Sequence, residues 1–407
     1  MMPMLIHGGP DMLGVPLHDL STNSNACGPY APAEQALREA DARHYPDPTY
    51  TELTIQLAAW HGVAPARIVI GASGSELIQR MTTAVAVQAM ASGAGVPAPV
   101  WLPKHAYGDY ARAAHAACLS RTSVAQVANL IWSCDPSSPL GQGDDGLVDR
   151  VANLKPGQTL VLDQAYEPLR LEGELTLDSA AIDRIWRFVT PNKSLGLTGV
   201  RAAYAIAPCG GSDLLERMHA LAPSWPLGAH GVALLQTWAT VDAHRWLREC
   251  RAILRAWKAR QTSLLRDAGW KVEPGTANFF VATREKVAAE SARERTFESG
   301  VDMKSCLDTI RRQGFKLRDC ASFGLPNHVR MAVVAPEVQD ALMRALKSGG
   351  WHESPLCHGA GHQQRRRQEL DHHRAVSLLR QPGPEGGPLQ GAEHEQQRTG
   401  GDGRPSI

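Results

Sequence analysis

No window of this 407-residue sequence approaches the roughly 20 consecutive apolar residues that a membrane-crossing helix requires. The opening Met1-Met2-Pro3-Met4-Leu5-Ile6-His7-Gly8-Gly9 lacks the basic flank and apolar stretch of a secretion signal. Neither sign of charge is in excess: 42 Lys and Arg stand against 41 Asp and Glu, a net of +1. So balanced a chain offers no electrostatic ground for a nucleic-acid or acidic-membrane partner. The eight cysteines (Cys27, Cys118, Cys134, Cys209, Cys250, Cys306, Cys320 and Cys357) show no paired short spacings. That argues against a zinc cluster or a disulfide scaffold and suits a reducing cytoplasm. The strand-to-helix turn Gly71-Ala72-Ser73-Gly74-Ser75-Glu76 does not carry the full G-x-G-x-x-G spacing, which disfavours a dinucleotide site there. These absences lead to the expectation of a soluble, cytoplasmic protein, long enough for two domains.

What is present is alternation. Short apolar runs (Ile68-Val69-Ile70, Val100-Trp101-Leu102, Asn129 to Trp132, Leu160-Val161-Leu162, Ile185 to Val189, Ala202 to Ala207) are separated by longer helix-like stretches, which predicts an α/β architecture. Turn residues follow each run, and ligands of open α/β sheets bind at the carboxyl ends of the strands. From Ala229 to Ala268 the apolar residues take helical spacing, predicting a pair of core helices. A strand at Ala277 to Ala282, a helix near Ser305 to Gln313 and a strand at His328 to Val333 predict a smaller α+β domain. The boundaries expected are an N-terminal segment 1–40, a large domain 41–228, a small domain 229–350 and a tail 351–407. The tail is rich in Gln, Gly, Pro, Arg and His and poor in aliphatics, so it is expected to be disordered. Its histidines and Cys357 match no common metal spacing, and no metal is expected.

The candidate chemistry lies in the turns. Thr190-Pro191-Asn192-Lys193-Ser194-Leu195-Gly196-Leu197-Thr198-Gly199-Val200-Arg201 sets one lysine among small and polar residues, with an arginine eight positions on. A lysine that forms a Schiff base must approach its cofactor closely, and an arginine supplies a fixed cation for a phosphate. Gly71-Ala72-Ser73-Gly74-Ser75-Glu76 follows a strand and opens a helix, so its amides can face a phosphate. Tyr107 or Tyr110 can stack on a flat heteroaromatic ring. Asp163, in Leu162-Asp163-Gln164-Ala165-Tyr166, ends a strand and can either cap a helix or pair with a ring nitrogen. Arg330 can clamp a carboxylate, and Arg318 can assist it or form an ordinary ion pair.

Taken in order over roughly residues 5 to 345, these motifs resemble the pyridoxal-phosphate-dependent aminotransferase class I/II superfamily of fold type I. That resemblance implies a mostly parallel seven-stranded sheet between helices, a smaller α+β domain, and pyridoxal 5'-phosphate joined to Lys193. It implies that Ser73, Gly74, Ser75, Thr190 and Arg201 hold the cofactor, Tyr107 stacks on its ring, and Asp163 pairs with its pyridine nitrogen. Tyr166 and Ser138 would meet its phenolic oxygen, while Arg330, Arg318 and Asn25 would meet the substrate. Tyr45, in His44-Tyr45-Pro46-Asp47-Pro48, would serve the phosphate of a neighbouring subunit, implying a homodimer with shared active sites. The chain departs from the family pattern at Ala72 and the shifted glycine of the phosphate turn, and at Asp135 and Ser138 where Asn is usual.

His7-Gly8-Gly9, Gly14-Val15-Pro16 and Asp19-Leu20-Ser21-Thr22 resemble the threonine-phosphate decarboxylases of cobalamin synthesis. These are similar in turn to histidinol-phosphate aminotransferases. The expected reaction is decarboxylation of L-threonine O-3-phosphate to aminopropanol phosphate. Transamination of an amino acid or phosphorylated amine is the alternative, and a non-catalytic binding protein of the same fold a second one.

Overall fold

Runs of β-branched and aliphatic residues, buried on both sides, become the strands of a central sheet. The computed structural model describes residues 7–93, 97–210, 212–284 and 303–348; the expectation for the tail 351–407 lies outside them. A short first strand, β1 (His18–Asp19), precedes the sheet. The sheet itself comprises β2 (Ile68–Gly71), β3 (Pro99–Trp101), β4 (Ser120–Thr122), β5 (Leu130–Cys134), β6 (Thr159–Asp163), β7 (Trp186–Val189) and β8 (Ala203–Ile206). Their order is β2-β8-β7-β6-β5-β3-β4, and β8 alone runs against the direction of the other six. Every residue of β2, β5 and β8 is buried, as a sheet covered on both faces requires. The helices Gly74–Ala91 and Gly108–Ala116 cover one face, where Leu77, Met81, Tyr110, Trp132 and Phe188 pack together.

The register brings the functional turns to one edge. Cys134 is paired with Asp163, Asp163 with Phe188, Val189 with Tyr204 and Gly71 with Ala203. Because β8 is reversed, its first residues, just after Arg201, reach the edge where the parallel strands end.

A second, antiparallel sheet contains β9 (Trp270–Val272), β10 (Phe279–Arg284), β12 (Arg318–Asp319) and β13 (His328–Ala332), in the order β12-β13-β10-β9. A separate parallel pair joins β1 to β11 (Phe315–Lys316). The predicted long helical stretch divides into Ala229–Trp238 and Val241–Asp267, because Thr240 caps the second by accepting from the Ala243 amide. The N-terminal segment bridges the two sheets. Leu20 accepts from the Ala332 amide (2.8 Å), then the Asn25 amide donates to the Lys193 carbonyl (3.0 Å) and that of Tyr30 to Leu195 (2.9 Å).

Candidate active site

Lys193 follows β7 on a turn closed by Asn192, whose side chain accepts from the Lys193 amide (2.9 Å) and whose carbonyl accepts from Leu197 (2.8 Å). The lysine is half-buried, with Nζ 5.4 Å from the centroid of the Tyr166 ring. Asp163, the last residue of β6, accepts from the Tyr110 hydroxyl at Oδ2 (2.7 Å) and from the Ala165 amide at Oδ1 (2.9 Å). Burial pushes the Asp163 carboxyl up, and those two bonds with the Lys193 charge oppose the rise only in part. The Tyr166 hydroxyl accepts from Asn23 Nδ2 (3.3 Å), and its ring meets Phe279 edge-on.

The turn after β2 is folded on itself. Ser73 Oγ caps the helix by accepting from the Glu76 amide (3.1 Å), while Glu76 accepts from the Ala72 amide (3.1 Å) and is gripped by Arg80. The Ser73 hydroxyl oxygen is thus already engaged in a cap, leaving the helix's first amides and positive end for an anion. Gly74 lies so close to Thr190 that a Cβ would sit 2.8 Å from its Cγ2. Ser75 Oγ meets the Tyr107 hydroxyl (3.2 Å), and the Tyr107 ring stands edge-on over that of Tyr110 (6.0 Å, 90°).

Two buried arginines on adjacent strands close the opposite side. Arg330 donates to Ser138 Oγ (2.9 Å) and the Ser21 carbonyl (2.7 Å), and among the described residues no carboxylate pairs with it. Arg318 donates to Ser322 Oγ (2.9 Å) and lies over the Phe323 ring. Burial and the neighbouring Arg330 push the Arg318 guanidinium down from its usual range. Asp135, where the family pattern has Asn, is tied to buried Arg170 (2.5 Å), which also holds Glu167 (2.7 Å). The residue is therefore occupied within the protein.

Not every expected residue converges. Asn25 engages the Ser194 carbonyl with Nδ2 (3.0 Å) and the Cys27 amide with Oδ1 (3.1 Å), which makes it a brace for the lysine turn. Asn23, two residues earlier and in the left-handed region (φ 59°), points to Tyr166 instead. Arg201 is exposed. Tyr45 is 77% exposed and stacks on Trp225 (4.5 Å), away from Lys193's turn in sequence and bonding. Asn23 and Arg170 carry no local sequence signal, because each acts through a partner distant in sequence, and the sequence offers Tyr110 for stacking rather than for its bond to Asp163.

Several buried polar atoms at this edge have no partner: Thr190 Oγ1, Ser194 Oγ, Asn23 Oδ1 and Arg330 Nε. Buried polar groups are normally satisfied, so these atoms suit a polar ligand. Helix amides, an ammonium, a carboxylate and a guanidinium with no carboxylate partner among the described residues suit a ligand with anionic groups and a protonated ring nitrogen. The residues fit pyridoxal 5'-phosphate.

Comparison with known proteins agrees. The model of the family described as aminotransferase class I and II matches residues 17–346. The histidinol-phosphate aminotransferase of Jannaschia sp. is 28% identical over 349 residues, 80% of this chain and 89% of its own length. That of Archaeoglobus fulgidus is 25% identical over 342 residues, 81% and 98%. Among solved structures, the L-threonine-O-3-phosphate decarboxylase of Porphyromonas gingivalis has a TM-score of 0.65 at 18% identity, covering 81% of this chain and 98% of that one. The histidinol-phosphate aminotransferase of Sinorhizobium meliloti, solved with pyridoxal-5'-phosphate, has a TM-score of 0.66 at 19% identity, covering 86% and 97%.

Proposed function

We propose that this chain, which belongs to the aminotransferase class I and II family and so is a pyridoxal-phosphate enzyme, decarboxylates L-threonine O-3-phosphate to aminopropanol phosphate, a step of cobalamin synthesis. The observation that carries the reading is the seat of the His-Gly-Gly segment. A Cβ on Gly8 would lie 2.4 Å from the Ser21 carbonyl oxygen, and the Gly9 amide donates to Ser21 Oγ (2.9 Å). That fit requires the glycines and leaves His7 with its ring 6.2 Å from that of Tyr107. The motif that resembles the decarboxylases is therefore adjacent to the residue expected to stack on the cofactor.

Pyridoxal phosphate supplies an electron sink for a breaking bond at the amino acid's Cα. Around it, Ser73, Gly74, Ser75, Thr190 and Arg201 would hold the phosphate, joined by the partner subunit's Tyr45. Tyr107 would cover the ring, Asp163 would keep its nitrogen protonated, and Tyr166 and Ser138 would meet its phenolic oxygen. Lys193 would hold it covalently and, once released, move a proton to or from Cα. Arg330 would orient the substrate carboxylate with Arg318 alongside; Ser138 and Ser21 fix its guanidinium from two sides, so the direction of that carboxylate is set by the protein. The exposed Tyr45–Trp225 pair supports a homodimer, because two large rings in contact with solvent gain by burial.

Transamination is the second reading, supported by curated relatives that are histidinol-phosphate aminotransferases. Incubating the holoprotein with L-threonine phosphate, with and without 2-oxoglutarate, separates the two. Release of CO2 that does not depend on the keto acid is expected; glutamate formed without CO2 would make the protein an aminotransferase.

A further inference from the structure

Tyr110 touches Asp163 directly but holds no place in the proposed reaction. The residue is fully buried in the first turn of the helix Gly108–Ala116. Its ring stacks on Trp132 (4.6 Å, 13°), Trp132 meets Phe188 edge-on, and Tyr107 stands over Tyr110 on the other side. With the ring held on both sides, the hydroxyl is aimed at Asp163 Oδ2, 2.7 Å away.

We propose that Tyr110 is a positioning residue that keeps the Asp163 carboxylate ionised and oriented, and through it sets how firmly the cofactor's ring nitrogen is held. The inference rests on the reading that Asp163 faces that nitrogen.

Among the described residues each Asp163 oxygen has one donor, the Ala165 amide on Oδ1 and the Tyr110 phenol on Oδ2. A carboxylate stripped of water is stabilised mainly by such donors, and losing one leaves the cost of burial less opposed. Other titratable groups face it as well. Lys193 on the turn after β7 favours its charge. The Cys134 thiol at the end of β5 is itself pushed well up by burial, so it stays neutral. Burial and the Asp163 charge also push the Tyr110 phenol well above its ordinary value, so throughout the working range it donates a proton and does not ionise. Because the same side chain supports the Tyr107 ring, the stacking aromatic and the anionic partner of the cofactor share one anchor.

The test is the pH dependence of cofactor affinity, measured by titrating the apoprotein with pyridoxal phosphate, for wild type, Tyr110→Phe and Asp163→Asn. Phenylalanine keeps the stack on Trp132 and deletes only the hydroxyl. Tyr110→Phe is expected to raise Kd about tenfold near neutrality and to move the acid-side midpoint about one pH unit upward. Asp163→Asn is expected to abolish that acid limb. If it does and Tyr110→Phe leaves the midpoint in place, the positioning role is wrong while the assignment of Asp163 survives. If Asp163→Asn leaves the profile intact, the assignment of Asp163 falls and the inference with it. Should Tyr110→Phe not fold, 3-fluorotyrosine at position 110 gives the same decision: its more acidic phenol is a stronger donor, so the midpoint moves down, and an unmoved midpoint overturns the proposal.

Discussion

Gly74 and Gly108 both open a helix after a strand, yet the protein treats them differently. A Cβ at Gly74 would press on Thr190 Cγ2 at 2.8 Å, whereas at Gly108 nothing lies within 4 Å. Overpacking a tight contact costs about 1–3 kcal/mol. Gly74→Ala should therefore lose roughly that much unfolding free energy in denaturant titration, and Gly108→Ala should be neutral or slightly stabilising because alanine restricts the unfolded chain. The close approach of turn and lysine loop is wrong if the two variants melt alike. Residue identity pointed to Asp163, Tyr166 and Lys193 at strand ends, and the fold sets the Lys193 ammonium 5.4 Å from the centroid of the Tyr166 ring. Side-chain direction was less legible. Tyr107 and Tyr110 were interchangeable on paper; the helix begins between them, leaving Tyr107 extended at its cap and turning Tyr110 down to Asp163. Asn25, expected at the substrate, braces the lysine turn, and Asn23 reaches Tyr166, because a left-handed residue in an irregular segment follows no periodic pattern.

At the scale of elements, the helix Thr51–His61 is locked down through its last turn. His61 Nε2 lies 2.7 Å from the Tyr204 hydroxyl, which also accepts from Trp238 Nε1 (2.9 Å), and Trp60 stacks on His244 of the helix Val241–Asp267 (3.9 Å). Burial, the largest cause in both, pushes the His61 imidazole down to about 3 and that of His244 to about 4. Both lie below the ordinary value of 6.5, so the unfolded chain takes up protons first as pH falls. Stability from these neutral rings is complete above about pH 7 and is lost progressively from about 6.5 downward to the folded values. Buried Asp163 and Glu167, with carboxyls pushed up, work in the opposite sense at the acid end. With His244 discounted for its partial exposure, unfolding free energy should drop by about 2–3 kcal/mol between pH 7 and pH 5. Denaturant melts at the two pH values measure this, and His61→Gln should flatten the slope; an unchanged slope in the variant would assign the effect elsewhere. The elements themselves were readable, since the apolar runs that predicted the large sheet became strands within a residue or two of their expected ends. The antiparallel insertion of β8 was not, because pairing direction is decided by long-range packing.

Over the whole molecule, the N-terminal segment connects the parts that matter. It pairs with β11, accepts from Ala332, braces the lysine turn through Asn25 and Tyr30, and presents Asn23 to Tyr166. A segment with little regular structure of its own is thereby held by both sheets, and a resemblance of ordered motifs could suggest its place but not its bonds. The ion pair between Asp135 and Arg170, 35 residues apart, was equally hidden; it explains how a departure from the family pattern is accommodated. Among the described residues no helix is long and apolar enough to cross a membrane. The claim on which the rest depends is that one lysine at the strand edge carries the cofactor. Reducing the pyridoxal-phosphate-loaded protein with borohydride, digesting it and mapping the modified peptide by mass spectrometry tests this directly. The account predicts a pyridoxyl group on Lys193, absent from Lys193→Ala; stoichiometric label on another lysine, or none on a protein that holds the cofactor, would contradict it.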